Sequence, residues 1–444
     1  MHRSSSRLTA LSELVLLLLL LLIQQSTSHP LSLPSPFLPK WQQTAVGLDE
    51  ASCSRSSAPG CSADFADTRI TNTSASLADT ATAAIANLLT RLNPATETFG
   101  GLSWWQSANA YSAAIALDAL APDKPARPAA NKLASSLENL LAIGCPNQRQ
   151  PHGLRNEYND DSLWWALACT DAYQAYGRRP GFLAEAKRIW RWVNDTSVVF
   201  GADTGYGCGM PRTQPLSAEC ALHGGVYWTT LPHNGYVNSI TTGLFMLLSA
   251  RLHEVEPAAR YLQAAATAAA WLRAHTLDAA TGLVTADGVD GPSCKVRPGA
   301  YSYNTAVYLS ALAALFRATG DAAWLAQASH TASSAMATPH WTDGHGRITE
   351  ARGAAANSDG VGFRAVLLRS LVALHATPGV ASGVRATIRG FVNTNYNMLY
   401  ERARAGQDWY GGNWFGPPPP HRQPPTWGQF VAVDVLVAGV AANS

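Results

Sequence analysis

Two adjacent aspartates, Asp160 and Asp161, are the residues whose type and spacing best suit them to chemistry. Glycosidic cleavage usually needs two carboxyl groups, one to protonate the leaving oxygen and one to act on the anomeric carbon or on a water. At a helix start, the helix N-terminus favours the charged carboxylate, while the like charge of the neighbour raises the pKa of one partner. The pair could therefore hold one charged and one protonated carboxyl, as a nucleophile and an acid require.

The alternative role of this pair is structural. Acidic residues are common in the first turn of a helix, where one of them caps the helix and its neighbour is solvated. An adjacent acidic pair, taken alone, is more often of this kind. What distinguishes Asp160 and Asp161 is the aromatic and apolar run from Leu163 to Ala168 that follows them.

The elements that must position these residues are helices. After residue 75, apolar residues recur at spacings of three and four, and alternating β-branched runs are scarce. Periodicity and helix breakers predict helices at 77–92, 103–120, 129–143, 160–176, 180–194, 236–254, 257–275, 301–318, 321–337, 359–375, 380–399 and 427–441.

Consecutive helices differ in polarity. The helix at 257–275 carries a one-sided apolar stripe, whereas the helix at 160–176 is apolar on nearly every face. A helix that is apolar on all faces is buried on all faces. Six amphipathic helices alternating with six buried ones predict an all-α fold, an (α/α)6 barrel of six helical hairpins. An extended helical array is the competing arrangement, but the chain shows no fixed-period repeat that would favour it.

The starts of the six buried helices are rich in amide, carboxylate and aromatic side chains. In a ring of parallel inner helices these ends would meet at one mouth and line a cleft suited to carbohydrate. Helix capping explains one such residue per helix. It does not explain the runs at 104–106 and 301–304, which read Trp-Trp-Gln and Tyr-Ser-Tyr-Asn.

Charge and motif content exclude several other classes of function. The formal net charge is +2, and no basic block with interleaved aromatics suggests a nucleic-acid partner. No Cys-x-x-Cys or His-x-x-x-His spacing indicates a zinc site. The paired glycines do not lie in a strand–loop–helix unit that could hold a phosphate. The sequence therefore offers no zinc site and no phosphate-binding loop.

The N-terminal segment predicts secretion. Arg3 and Arg7 precede the apolar run Leu14–Ile23, which is followed by small polar residues up to Ser28. This order is typical of a cleaved signal peptide at 1–28. A short signal anchor is disfavoured, because the apolar run is about half the ~20 residues that a membrane span needs. The Pro- and Ser-rich residues 29–75 predict a flexible lead to a catalytic domain at 76–444.

Two further features agree with secretion and with a mature protein that does not contact the membrane. Asn72 and Asn194 begin N-glycosylation motifs. The chain has seven cysteines, which could pair in an oxidising compartment. Cys53 with Cys61, and Cys208 with Cys220, are close enough in sequence for local bridges. The connectivity itself stays open, and at least one cysteine is left over.

The segment Asn159–Ala168, continuing to Asp171–Tyr173, resembles the sequence motif of glycoside hydrolase family 76, the endo-α-1,6-mannanase family of fungi and bacteria. The similarity extends through most of the chain after residue 75. Other motifs of the family are matched in order at Trp104–Asn109, Gly224–Trp228, Leu244–Leu252, Gly282–Val284, Asp287–Gly288, Tyr303–Asn304, Tyr308–Leu309, Ile348–Glu350 and Phe363–Arg364.

The resemblance implies the (α/α)6 barrel and hydrolysis of α-1,6-mannosidic linkages in mannan or a mannose-containing oligosaccharide, with retention of configuration. It implies that Asp160 is the nucleophile and Asp161 the acid/base, without a cofactor or an obligate partner, and we expect a monomer. The residues that we expect to bind the sugar are Asn109, Trp105, Trp228, Asn238, Tyr303, Asn304 and Asp359.

Two departures from the family pattern bear on subsite preference. Val237 stands where Lys is usual, and Thr305 stands where Gln is usual. Two alternative functions stay open. A cell-wall mannosyl transglycosylase could use the same scaffold, because a covalent glycosyl-enzyme can be resolved by water or by another sugar. A non-catalytic mannan-binding protein would be marked by loss of one carboxylate, but both are present.

Overall fold

A computed structural model of the chain describes residues 65, 68–71, 76–120, 128–145, 153–200, 213, 216–217, 220–352, 359–416 and 424–444, with the backbone alone at 128–130. The expected signal peptide lies outside the described residues, as does nearly all of the flexible lead. So do the glycosylation motif at Asn72 and the cysteines Cys53, Cys61 and Cys208.

The described residues form twelve α-helices, and each lies within a few residues of its predicted span. They are α1 (Leu77–Leu89), α2 (Trp104–Ala119), α3 (Pro128–Ile143), α4 (Asn159–Ala175), α5 (Pro180–Ser197), α6 (Ser239–Val255), α7 (Ala259–His275), α8 (Ser302–Thr319), α9 (Ala322–Ala337), α10 (Asp359–His375), α11 (Ser382–Arg402) and α12 (Thr426–Ala442).

The even-numbered helices form a closed inner ring. Each of them packs on the next, and α12 packs on α2. The odd-numbered helices lie outside. Among the outer helices, α4 packs on the one that follows it in the chain, α5, and α12 packs on α1. The predicted (α/α)6 barrel is therefore confirmed, with extensive packing between neighbouring inner helices such as α6 and α8.

The inner helices are held by side chains that are buried on nearly every face. Trp165 of α4 is fully buried, with its ring centroid 4.7 Å from that of Trp104 and 5.6 Å from that of Tyr111. Small residues such as Ala110 and Ala113 let α2 approach its neighbours closely. Burying a large apolar side chain contributes about 1.5–3 kcal/mol, so the ring is the main source of stability.

Within the described ranges, three small antiparallel sheets connect the helices. They comprise β1 (Leu92–Asn93) with β2 (Thr98–Phe99); β3 (Tyr236–Asn238), β4 (Ala286–Asp290) and β5 (Lys295–Pro298); and β6 (Arg404–Gly406) with β7 (Trp409–Tyr410). The predicted helix at 236–254 therefore begins later, at Ser239. Its first three residues pair with β4 instead, and Asn238 caps α6 by accepting a hydrogen bond from Thr241 N at 3.3 Å.

A disulfide joins Cys220 to Cys294, between β4 and β5. The suggested local bridge between Cys208 and Cys220 is therefore wrong. The barrel brings together two cysteines that are 74 residues apart in the chain. Cys220 lies shortly before the segment 224–228, so the bridge fixes this segment against the three-stranded sheet. Among the described residues, no helix is long and apolar enough to cross a membrane.

Replacing both Cys220 and Cys294 by alanine should lower the free energy of unfolding by about 4 kcal/mol, because the bridge closes a long loop and restricts the unfolded chain. Denaturant unfolding followed by tryptophan fluorescence would measure the change. A reducing agent should bring the wild type close to the stability of the double variant. Equal stability of the two proteins under oxidising conditions would contradict a structural role for the bridge.

Candidate active site

The N-terminal ends of four inner helices meet at a pocket of about 200 Å³. Helices α2, α4, α8 and α10 each contribute side chains to it, together with the segment that leads to Trp228. The lining residues are Trp105, Tyr158, Asp160, Asp161, Trp164, Trp228, Tyr303, Asp359 and Phe363. The pocket therefore combines three carboxyl groups with six aromatic rings.

Asp160 lies in the first turn of α4 and accepts two hydrogen bonds. Trp228 Nε1 donates to its Oδ2 at 3.0 Å, and the backbone N–H of Asp161 donates to its Oδ1 at 3.0 Å. Burial and the neighbouring charge of Asp161 raise the pKa of Asp160 well above its usual range. The two donors act in the opposite direction, because they stabilise the charged carboxylate.

Asp161 has a different set of partners. Its pKa is raised to about 6, chiefly by burial; the hydrogen bond from Asn156 lowers the pKa, and the charges of Asp359 and Glu157 raise it. Asn156 Nδ2 lies 2.8 Å from Asp161 Oδ2. Both aspartates are half-buried, so they face the pocket and stay accessible to a ligand.

The segment before α4 places Asn156 against the pair. Asn156 Oδ1 accepts a hydrogen bond from Tyr158 N at 3.0 Å, and Asn156 N donates to Ser162 Oγ at 3.1 Å. Two residues earlier, Leu154 N donates to Glu185 Oε1 of α5 at 2.8 Å. The outer helix therefore anchors the segment that carries the partner of Asp161.

Trp228 is positioned through its backbone. Trp228 N donates to Tyr236 O at 2.8 Å, and its carbonyl accepts from Asn159 N at 2.9 Å. The indole centroid lies 5.1 Å from the ring of Tyr158. The backbone of Trp228 thus joins the start of α4 to β3, and its indole N–H donates to Asp160.

The opposite wall of the pocket is aromatic. Tyr303 of α8 stacks on Phe363 of α10 with 3.7 Å between ring centroids, and Trp105 lies 6.0 Å from Phe363. Trp105 Nε1 donates to Asp359 Oδ1 at 3.1 Å. A glycine at position 362 makes room for the indole, because a Cβ there would lie 2.5 Å from Trp105. Such rings can stack on the apolar C–H faces of a sugar.

Three of the residues expected to bind sugar do not line the pocket. Asn109 is buried one turn below Trp105, where it donates to Trp105 O at 3.0 Å and accepts a hydrogen bond from Arg369. Asn238 is occupied as the cap of α6. Asn304 is 2% exposed, and its side chain makes no hydrogen bond to another described group.

The two departures from the family pattern also lie outside the pocket. Val237 is fully buried in β3, where it pairs with Val289. Thr305 is fully buried in α8, and its hydroxyl accepts a hydrogen bond from Val284 N at 2.9 Å. Both side chains support the packing of the barrel and of the three-stranded sheet.

Sequence reasoning missed four residues of the site. Tyr158, Trp164 and Phe363 line the pocket, and Asn156 bonds to Asp161. Two of them had a usable signal, because Trp164 lies three residues after Asp161 and Phe363 lies four after Asp359, on the same helix faces. Asn156 is in an irregular segment, where periodicity gives no signal. Among the described residues, no cluster of His, Cys, Asp and Glu could hold a metal ion.

Comparisons with solved structures show the same fold. The α-1,6-mannanase GH76A of Salegentibacter sp. HEL1_6 is 21% identical, with a TM-score of 0.67 over 83% of this chain and 100% of that chain. An inactive variant of that enzyme, with two adjacent aspartates replaced by asparagine, was solved with α-1,6-mannotriose.

Two further structures are similar. The GH76 α-mannanase of Bacteroides thetaiotaomicron is 18% identical, with a TM-score of 0.63 over 84% of this chain and 97% of that one. Dfg5 of Chaetomium thermophilum, solved with glucosamine, is 18% identical, with a TM-score of 0.64 over 85% of this chain and 92% of that one.

Comparison with curated proteins gave no match. The family model described as glycosyl hydrolase family 76 matches residues 213–433, which include Trp228, Tyr303, Asp359 and Phe363. Together with the barrel and its pocket, this match settles the classification. The chain belongs to glycoside hydrolase family 76.

Proposed function

We propose that this glycoside hydrolase is secreted and cleaves α-1,6-mannosidic linkages within mannan, with retention of configuration. The observation that carries the proposal is the placement of Asp160 and Asp161 side by side in an aromatic pocket, each with its own hydrogen-bond donor. Two adjacent aspartates are also the residues replaced in the inactive mannotriose-bound neighbour.

We assign the nucleophile to Asp160. It accepts hydrogen bonds from two N–H groups, and these oppose the rise that burial and the charge of Asp161 cause in its pKa. When Asp161 carries the proton, its charge no longer raises the pKa of Asp160, and the two donors stabilise Asp160 as the charged partner. The carboxylate attacks the anomeric carbon, so a C–O bond to Asp160 forms while the bond to the leaving sugar breaks. Trp228 N–H then stabilises the same carboxylate when it departs in the second step.

We assign the acid and base to Asp161. Its raised pKa of about 6 keeps it protonated in a mildly acidic medium, where it gives its proton to the leaving oxygen. In the second step the Asp161 carboxylate takes a proton from a water whose oxygen attacks the anomeric carbon. The bond to Asp160 breaks, and both carboxyls return to their starting states.

The aromatic side chains of the pocket would bind the substrate sugar. Trp105, Trp228 and Tyr303 line the pocket, and Asp359 can accept hydrogen bonds from sugar hydroxyls. Asn109, Asn238 and Asn304 are left out, because their side chains are buried away from the pocket.

Transfer to a second sugar is the alternative reaction. Tyr301 is 41% exposed, and its ring lies 5.6 Å from that of Phe363, so the aromatic wall continues outside the pocket. A sugar stacked there could replace water as the acceptor, and the structural similarity to Dfg5 agrees with a related scaffold. Adding short α-1,6-mannooligosaccharides during turnover would distinguish the two reactions, because transfer yields products longer than the donor.

Asp160→Asn and Asp161→Asn should each abolish the shortening of linear α-1,6-mannan, because each removes a carboxyl that the reaction uses. Chromatography of the products on mannan and on mannotetraose would measure the loss. Asp79→Asn is the matched control, since Asp79 is an exposed aspartate in the first turn of α1 and should be dispensable. Near-full activity of either pocket variant would refute the assignment, and an inert wild type would refute the substrate.

Trp228→Phe should lower kcat/KM about 10- to 100-fold, because a hydrogen bond to a charged group contributes about 1.5–3 kcal/mol. The phenylalanine keeps an aromatic face but cannot donate to Asp160. Trp104→Phe serves as the control, because the Trp104 N–H donates to the backbone carbonyl of Leu154 at 3.3 Å. Equal effects of the two substitutions would argue against a role for the indole N–H at Asp160.

The alkaline side of the pH–activity profile should follow the pKa of Asp161, because the acid must be protonated. Activity is expected to fall as the pH rises through about 6. Asn156→Ala removes a donor to the charged form, so it should raise this pKa and move the fall to higher pH. Glu157→Gln removes a neighbouring negative charge and should move it to lower pH.

These two shifts would be read from kcat/KM measured across the pH range. Glu157 is exposed and does not line the pocket, so its substitution tests the charge alone. Shifts in the same direction for both variants, or none for either, would mean that another group controls the alkaline limb.

A further inference from the structure

A second cavity, of about 740 Å³, lies outside the active site against the outer helices. Its walls come from α5 and α7, from the start of the segment after α5 and from residues 223–224, while Phe245 of α6 contributes from the inner ring. Its volume falls in the range of ~300–1,000 Å³ that is typical of small-molecule sites. The reaction proposed above makes no use of it.

Asn194 lies in the wall of this cavity and begins the motif Asn194-Asp195-Thr196 in the last turn of α5. Its Nδ2 donates to Asp195 Oδ1 at 2.9 Å in an exposed arrangement. The motif has the Asn-x-Ser/Thr form that accepts N-linked glycans. The glycosylation motif therefore lies at a cavity and not against a packed surface.

We propose that Asn194 carries an N-linked glycan whose first sugars occupy the 740 Å³ cavity. A lipid-linked oligosaccharide pyrophosphate would supply the glycan. The anomeric carbon exchanges its bond to the phosphate oxygen for a bond to Asn194 Nδ2, the amide loses one proton, and the lipid pyrophosphate leaves. One N–H remains on the amide, so the hydrogen bond to Asp195 can persist.

The side chains that line the 740 Å³ cavity combine aromatic rings with hydrogen-bond donors, as a sugar-binding surface requires. Phe200 is 38% exposed at the edge of the cavity, and its ring lies 6.4 Å from that of His223. Aromatic faces of this kind pack against pyranose rings. Arg191 and Gln263 also line the cavity and can donate hydrogen bonds to sugar hydroxyl and acetamide oxygens. An attached glycan would cover apolar surface that is otherwise in contact with water.

The proposal rests on the proposed secretion and is independent of the proposed reaction. The test begins with the full chain produced in a eukaryotic secretory host, with glycopeptides at Asn194 and Asn72 identified by mass spectrometry. We expect a glycan at Asn194. An unmodified Asn194 would overturn the proposal, whether or not Asn72 is modified.

The position of the glycan is tested by removing it from the folded protein with an endoglycosidase. A glycan in the cavity must leave it before cleavage, so release from native protein should be about tenfold slower than from denatured protein. Phe200→Ala should remove most of this difference by opening the edge of the cavity. Equal rates from native and denatured wild type would show that the glycan projects into solvent.

Thermal unfolding tests the same contact independently. Asn194→Gln should lower the Tm by a few degrees relative to wild type, whereas Asn72→Gln, which the sequence places in the lead before the catalytic domain, should leave the Tm unchanged. Activity on mannan should be the same in both variants, because the cavity shares no residue with the active-site pocket. An unchanged Tm for Asn194→Gln would refute a stabilising contact.

Discussion

The inner helices of the barrel expose very little of their side chains to water, so each must find neighbours on every side. A closed ring of six such helices, covered by the outer helices, satisfies this requirement in the described part of the chain. Where the inner helices meet the catalytic mouth, their first turns leave the packed core and can carry Trp105, Asp160, Tyr303 and Asp359. The packed parts of the inner helices supply the stability of the barrel. The polar and half-exposed side chains at the mouth contribute little to it, so their types are free to serve substrate binding and catalysis.

Polar groups below the mouth link the site to the rest of the barrel. Arg369 of α10 bonds to Asn109 and lies 3.7 Å from Asp434 of α12, a buried aspartate. Removing Arg369 would leave the buried Asp434 without its cation, which is destabilising. Asn109 in turn bonds to the carbonyl of Trp105, whose indole reaches Asp359. A residue that looks like a sugar ligand in the sequence is therefore part of the support beneath the pocket.

Much of this arrangement could be predicted from the sequence, for physical reasons that differ between its parts. Helical periodicity is local, so the twelve helices and their inner or outer character were accessible, and the acidic pair stood out at a helix start. Features that depend on tertiary contacts could not be predicted from the sequence. The pairing of Cys220 with Cys294 depends on which segments the barrel brings together. Asn238 satisfies a helix cap and Asn304 is buried, roles that residue type alone does not separate from sugar binding.

The bridge between Cys220 and Cys294 makes full activity depend on the redox state of the compartment that holds the protein. It lies next to the segment that carries Trp228 to Asp160, and that segment forms backbone hydrogen bonds with α4 and β3. In a reducing compartment the two thiols would stay apart, and the segment would lose its covalent restraint. Oxidation would then complete the alignment of the indole with the carboxylate. If the chain is exported as proposed, full activity would emerge only after it leaves the reducing cytosol.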